Sequence, residues 1–140
     1  MGPAVKDVEI GFELPVLTKK MTQERINIFE ACGITDRPNI HNDPEAAKAA
    51  GIGATPIASG RMTSSFVNEA LHKFFGDGWT RSGKTDLTFV RPVRDGDTLT
   101  IHAAVKEKVR EGDKTRITFD VYAENQNGDK TAVGSASALA

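Results

Sequence analysis

Apolar and polar residues alternate along several stretches of the chain, a period of two that is typical of β-strands with one buried face. The first stretch is 8–14, and Pro15 would end that strand or mark it as an edge. The pattern returns in the C-terminal half, where glycine-containing turns would join the last strands into hairpins. The strands predicted there are 87–90, 98–109, 116–123 and 131–140, with turns at 111–113 and 127–129.

Apolar residues three and four positions apart predict helices between the first strand and the later ones. The first helix would run from the N-cap Thr22 to about Ala31 and end at Gly33. Ile26 and Phe29 would turn toward the interior. An α-helix thus follows directly on the first predicted strand.

A second, shorter helix is predicted where Asp43 and Pro44 stand together, because these residue types suit an N-cap and a first helical position. It would continue through 45–50, and Gly51 would close it. The glycines of this region lack the phosphate-loop spacing with a Lys-Ser/Thr pair, so we interpret them as residues that allow turns of the backbone.

The most apolar helix is predicted to begin at Ser59 or Gly60 and to end at Gly76, before a loop at 76–79. Its apolar side chains recur at helical spacing: Met62, Phe66, Ala70, Leu71, Phe74 and Phe75. Such a stripe is more typical of a buried core helix than of a ligand site. A strand, several helices and then a run of antiparallel strands predict an α+β fold whose sheet wraps this long helix.

The stretch 36–60 carries the residues with the clearest chemistry. Asp36 and His41 are five residues apart, and Pro38 keeps the chain between them out of a regular helix. A loop fixed by its own backbone contacts can hold a carboxylate and an imidazole at a set separation. Acid–base catalysis requires such a pair, so we predict a catalytic role for Asp36 and His41.

The composition leaves room for this site in one domain, predicted to span 1–140. The chain has 140 residues and a net charge of −1 with mixed signs, so we expect neither nucleic acid nor a membrane as a partner. A lone Cys32 cannot form an internal disulfide, and no apolar leader or long apolar run is present, so we expect a cytoplasmic protein. His72 and His102 lack spaced ligand partners, so neither a metal nor another cofactor is expected.

These motifs resemble the MaoC-type hydratase and dehydratase family, whose hotdog fold wraps a curved antiparallel sheet around a central helix. The family signature is Asp-x-Asn-Pro-x-His-x-Asp-Pro, followed by Ala, Gly and Pro-Ile-x-His-Gly. It is matched here by Asp36, His41, Asp43, Pro44, Ala47, Gly51, Pro56, Ile57 and Gly60. A second family motif, Phe-x-x-Pro-Val-x-x-Gly-Asp, is similar to 89–97. The resemblance covers roughly Val8 to the C-terminus.

The resemblance implies reversible addition of water across the α,β double bond of an enoyl thioester, as in an R-specific enoyl-CoA hydratase. Asp36 and His41 would hold the water and move its protons, and Gly60 would offer its backbone N–H to the thioester carbonyl. A helix N-terminus has free N–H donors and a dipole that suit a developing oxyanion, which supports the last role independently. The implied partners are a small molecule, an acyl-CoA thioester, and a second copy of the chain in a homodimer or larger assembly of dimers.

The chain departs from the family pattern beside the reaction centre, and these departures bear on the substrate. Asn39 follows Pro38 where the family has the reverse order, and Ser59 stands where His is usual. Arg61 stands where an apolar residue is usual, and its guanidinium could meet a substrate carboxylate. The residues predicted to contact substrate are Asn39, Ser59, Arg61, Met62, Phe66, Asn68 and Trp79. We expect a compact substrate with its carbonyl at Gly60 and its apolar end near the aromatic side chains.

Three other functions stay open. A hotdog thioesterase would usually carry a carboxylate eight residues after the glycine, where this chain has Asn68, with Glu69 one position later. A non-catalytic acyl-binding domain would not need Asp36 and His41 together. A hydratase acting on a conjugated carbonyl compound that is not a CoA ester also fits, because no Lys/Arg cluster marks a CoA phosphate site.

Overall fold

The computed structural model describes residues 4–33 and 37–140, and within them five strands form one antiparallel sheet. The spatial order is β1-β3-β4-β5-β2, so β3, β4 and β5 form a meander with a strand added at each side. The strands are β1 Leu17–Lys20, β2 Lys84–Phe89, β3 Thr98–Glu111, β4 Lys114–Glu124 and β5 Lys130–Leu139. The predicted C-terminal strands are confirmed, with ends that differ by a few residues.

The two hairpin turns of the meander lie where the sequence predicts them. Gly112 and Gly128 have φ angles of +64° and +78°, which L-residues with a Cβ rarely adopt. Leu99 and Ile101 are buried and the residues between and beside them are only partly covered, so the predicted alternation in β3 is also confirmed.

The predicted first strand, 8–14, is wrong: only Glu13 forms an isolated bridge there, to Ala104, and β1 lies later in the chain, at Leu17–Lys20. A 3-10 turn at Val5–Asp7 precedes it, and Gly11, with φ of +92°, reverses the chain where the Phe12 N–H donates to the Glu9 carbonyl. The segment touches β3 only through scattered bonds, and Ile10 is 67% exposed, so it does not share a buried face with Leu14. The alternation of side chains is therefore interrupted by a glycine turn that hydrophobic spacing does not reveal.

Four helices complete the described structure, and the predicted caps of the first three are present. They are α1 Gln23–Gly33, α2 Pro44–Ala49, α3 Gly60–Phe75 and α4 Asp77–Ser82. Thr22, Asp43 and Ser59 accept backbone N–H groups from Arg25, Glu45 and Arg61 respectively. The loop predicted at 76–79 is wrong, because α4 begins there and carries Trp79 into the core.

The core lies between α3 and the sheet, in two clusters. The larger contains the stripe of α3, including Leu71 and Phe75, together with β-strand residues such as Ile101 and Phe119. The smaller cluster consists of Met21, Ile26, Ala58, Met62, Val93 and Leu99. It joins α1, the start of α3 and the segment before β3, and two of its members, Ala58 and Val93, also line the candidate site.

Candidate active site

The loop that carries His41 is held by a small network of side-chain amides. The Asn39 Oδ1 accepts the His41 N–H at 2.7 Å, and the Asn42 Oδ1 accepts the Asn39 N–H at 2.8 Å. From α1, the Gln23 Nε2 donates to the His41 carbonyl at 3.0 Å. The loop is therefore fixed by its own asparagines and by α1, as a site on a loop requires.

The imidazole of His41 is oriented by the backbone of the segment that leads into α3. Its Nδ1 lies 2.8 Å from the Ile57 carbonyl, and the Ile57 N–H donates to the Ile40 carbonyl at 3.1 Å. Because a carbonyl oxygen only accepts hydrogen bonds, Nδ1 carries the proton in this contact. In the neutral ring, Nε2 then has the free lone pair and is the nitrogen that can accept a proton.

The segment 52–58 that orients His41 is itself fixed by Arg94. The guanidinium donates to the carbonyls of Ile52 and Thr55, each at 2.6 Å. The Ala58 N–H then donates to the Val93 carbonyl at 2.7 Å. Val93 and Arg94, both in the motif 89–97, therefore fix the segment 52–58, a role of Arg94 that has no signal in the sequence.

Gly60 is the first residue of α3, directly after the cap Ser59. The cap Ser59 accepts the Arg61 N–H and not the Gly60 N–H. The Gly60 N–H therefore has no hydrogen-bond partner among the described residues. A Cβ at Gly60 would lie 2.6 Å from the ring of Phe89. Glycine thus allows the Phe89 ring to pack against the helix start, beside a free N–H donor.

His41 and Gly60 line the same cavity, which has a volume of about 320 Å³. Its apolar wall includes Ile57, Phe89, Pro92 and Val93. Thr63, Arg91 and Thr131 are its further polar residues, and both threonines are buried. The cavity therefore combines an apolar wall with a proton acceptor, hydroxyl groups and a helix N-terminus.

Sequence reasoning missed Phe89, Thr63, Arg91 and Thr131 as cavity residues. Thr63 lies three positions after Gly60, so helical spacing could have placed it on the same face. The other three come from β2, the segment after it and the start of β5. Only the pairing of β2 with β5 brings them to the helix, and that pairing has no signal in the local sequence.

The predicted site residues separate into distinct places. Asp36 lies outside the described residues. Arg61 is exposed beside Gly60, and Ser59 is buried as the α3 cap. Asn39 lies in the His41 loop. The structure thus gathers several of the predicted residues around the start of α3.

Four predicted contacts lie away from His41. Met62 and Phe66 line a second cavity, of about 470 Å³, between α1 and α3. The Asn68 Oδ1 accepts the Trp79 Nε1–H at 3.0 Å, and Trp79 belongs to the core cluster. The structure does not bring these side chains to the His41 cavity, and their role as substrate contacts stays a prediction.

Metal binding has no support from side-chain clusters in the described ranges. Within 4–33 and 37–140, His, Cys, Asp and Glu side chains form no group of three that could hold an ion. In the same ranges, no helix combines the length and apolar character needed to cross a membrane.

Comparison with protein families matches residues 9–127 to the MaoC like domain. Among solved structures, a monoamine oxidase regulatory protein from Archaeoglobus fulgidus is 25% identical, with a TM-score of 0.82. That alignment covers 98% of this chain and 93% of the other. No curated protein matches the sequence.

Two R-hydratases are similar in structure. PhaJ1 from Pseudomonas aeruginosa is 24% identical with a TM-score of 0.77, over 97% of this chain and 83% of that one. The (R)-hydratase from A. caviae involved in PHA biosynthesis is 24% identical with a TM-score of 0.76, over 94% of this chain and 96% of that one. These similarities confirm the expected hotdog fold.

Proposed function

This chain belongs to the MaoC-like domain family, and from that membership and its cavity we propose that it is a hydratase or dehydratase of enoyl thioesters. The reaction is the reversible addition of water across an α,β double bond. The observation that supports it most is that His41, with an oriented imidazole, and Gly60, at a helix N-terminus, line one cavity.

The chemistry follows from two groups with separate tasks. His41 Nε2 accepts a proton from water as the oxygen attacks the β-carbon, while the Ile57 carbonyl holds Nδ1–H in place. Negative charge moves to the thioester oxygen, which the Gly60 N–H and the positive end of the α3 dipole stabilise. In the reverse direction the same imidazolium returns its proton to the leaving hydroxyl.

Asp36 is proposed as the carboxylate partner of His41. The proposal rests on the family signature, which places an aspartate five residues before the histidine. In its protonated form Asp36 would give the α-carbon a proton, and the proton that His41 takes from the water would restore it, so the hydroxyl group and the hydrogen would add to one face of the double bond. Asp36 itself lies outside the described residues.

The cavity favours a compact acyl group. A volume of about 320 Å³ with walls from Phe89, Pro92 and Val93 suits a short hydrocarbon chain. Arg91 is the one arginine among the cavity-lining residues and supplies a cation for the acidic part of a CoA ester. A thioesterase is less well supported, because Asn68 uses its Oδ1 to accept from Trp79.

The experiment that tests the proposal is a water-addition assay over 2-enoyl-CoA esters of graded length and matched free enones. We expect short enoyl-CoA esters to be hydrated fastest, and Asp36→Asn to reduce turnover on the order of 10² to 10⁴-fold. Release of free CoA without hydration would support a thioesterase. Hydration of none of the panel would overturn the proposal.

A further inference from the structure

Glu30 is a buried carboxylate to which the proposed reaction gives no role. The side chain is 1% exposed, and neither carboxylate oxygen has a hydrogen-bond partner in the described ranges. Buried carboxylates are normally paired or hydrogen-bonded, since transfer of a charge from water to the interior is unfavourable. An apolar side chain would fill this position with greater stability, as Ile26 does one turn earlier.

The position of Glu30 on α1 connects it to the candidate site. With about 3.6 residues per helical turn, Gln23, Ile26 and Glu30 lie on one face of α1. On that face, Gln23 donates to the His41 carbonyl, and Ile26 belongs to the cluster that contains the cavity residues Ala58 and Val93. Glu30 therefore continues the helix face that supports the His41 loop.

A buried residue that is unfavourable for folding is expected mainly at a functional site, where activity is the reason that it is retained. We propose that Glu30 is a positioning residue of the hydration site. Its carboxylate would support the 37–43 loop through interior water, since no described residue pairs with either oxygen. Glu30 acts through the loop and does not itself touch the substrate. The kinetic part of this inference rests on the proposed function.

Two substitutions separate positioning from packing. Glu30→Met has a similar length without polar atoms, and Glu30→Gln keeps an oxygen acceptor without the charge. Glu24, which is exposed on the first turn of α1, offers matched controls in Glu24→Met and Glu24→Gln. The measurements are thermal midpoint, kcat and KM on the best enoyl-CoA ester, and amide hydrogen exchange of 37–43.

We expect Glu30→Met to raise the thermal midpoint but to lower kcat on the order of 10 to 100-fold at nearly constant KM. Amide exchange in 37–43 should become faster, and Glu30→Gln should recover most of both losses. The Glu24 controls should change neither kcat nor loop exchange. A higher thermal midpoint together with faster exchange in the loop would not be expected if Glu30 only stabilised the fold.

Two results would overturn the inference. One is a Glu30→Met protein with unchanged loop exchange, because the carboxylate would then only lower stability. The other is a lower thermal midpoint for both Glu30 variants, because the carboxylate would then stabilise the fold through partners of its own. If the wild-type protein hydrates no substrate, the proposed function fails, while loop exchange still decides the role of Glu30.

Discussion

Asn39 is the residue on which the position of His41 depends most directly. Its side chain accepts the His41 N–H, and its backbone N–H donates to Asn42, so one residue fixes both sides of the turn. Its order relative to Pro38 differs from the family signature, and in this order the Asn39 side chain contacts the His41 backbone. The residue at this departure from the signature therefore has a positioning role in this chain.

Asn39→Ala is predicted to reduce kcat on the order of tenfold, because the His41 N–H loses its acceptor and the turn loosens. KM should change less, since the cavity walls stay in place. Steady-state kinetics on a short enoyl-CoA ester measure the effect. Asn127→Ala, in the exposed turn between β4 and β5, is the matched control, and an equal loss in that variant would contradict the prediction.

At the residue scale, the sequence supports a hypothesis about chemistry but does not show which groups lie next to one another. The spacing of Asp36 and His41 on a proline-containing loop identified candidate chemistry without any structure. Helical spacing also showed that Met62 and Phe66 face inward, but it cannot show which element packs against them. The structure places α1 there, and the His41 cavity is bounded by Phe89 and the segment after β2.

The start of α3 and the end of β2 approach each other closely at the site. A methyl group on Gly60 would meet the Phe89 ring at 2.6 Å, which is shorter than van der Waals contact allows. Phe89 is 49% exposed, so its ring can move, but only away from its place over the helix start. The two residues should therefore be energetically coupled.

Gly60→Ala is predicted to lower kcat/KM on the order of tenfold or more, because the displaced ring enters the cavity or the helix start shifts. Phe89→Ala should enlarge the cavity and favour longer acyl chains. In the double variant the loss caused by Gly60→Ala should be smaller than in the single variant. A double-mutant cycle measures this coupling, and strictly additive effects would show that the contact has no influence on the site.

A second contact between elements is the ion pair of β1 with α3. Hydrogen bonds from Lys19 and then Lys73 lower the pKa of Glu69 below its ordinary value. A lowered carboxyl pKa adds stability above the unfolded-state pKa, and that stability is lost as pH falls through the folded-state pKa. The pair is partly exposed, so salt should weaken it.

Glu69→Gln is accordingly predicted to reduce stability slightly at pH 7 and hardly at all near pH 2, where the wild-type carboxyl is also protonated. Urea midpoints at both pH values, in low and high salt, test this. A difference between the proteins that is equal at the two pH values would show that charge is not the source.

The element scale also shows where sequence reasoning fails. The meander was predictable because its long strands alternate apolar and polar residues and glycine-containing turns separate them. The caps of α1, α2 and α3 were predictable from single residues that favour the N-cap position. The segment 8–14 has the same alternation, but Gly11 turns the chain and only scattered contacts join it to β3. The helix α4 was missed because Gly76 and Gly78 suggested a loop, while burial of Trp79 stabilises the helix through tertiary packing.

At the scale of the whole molecule, the sheet has an open side at β2. Within the described residues this strand pairs only with β5, and the apolar side chains of Phe89 and Val90 at its end are exposed. An open edge beside exposed apolar groups favours association with another copy of the sheet. The cavity residue Phe89 lies at this edge, so association would also cover the site.

A homodimer is therefore predicted, with a mass twice the 15.1 kDa of the chain. Light scattering coupled to size exclusion at micromolar concentration measures it. Val90→Lys, which places a charge at the exposed end of the edge, should shift the population toward monomer. A wild-type protein that is monomeric under these conditions would contradict the prediction.

We propose above that the cavity of His41 and Gly60 adds water to an enoyl thioester. The most direct test is kcat/KM for a short 2-enoyl-CoA ester in wild type, His41→Ala and His72→Ala, with circular dichroism to verify folding. His72 is exposed on α3 away from the cavity residues and serves as the matched control. We expect a loss on the order of 10² to 10⁴-fold for His41→Ala and near wild-type activity for His72→Ala. A folded His41→Ala protein that hydrates the ester at the wild-type rate would contradict it.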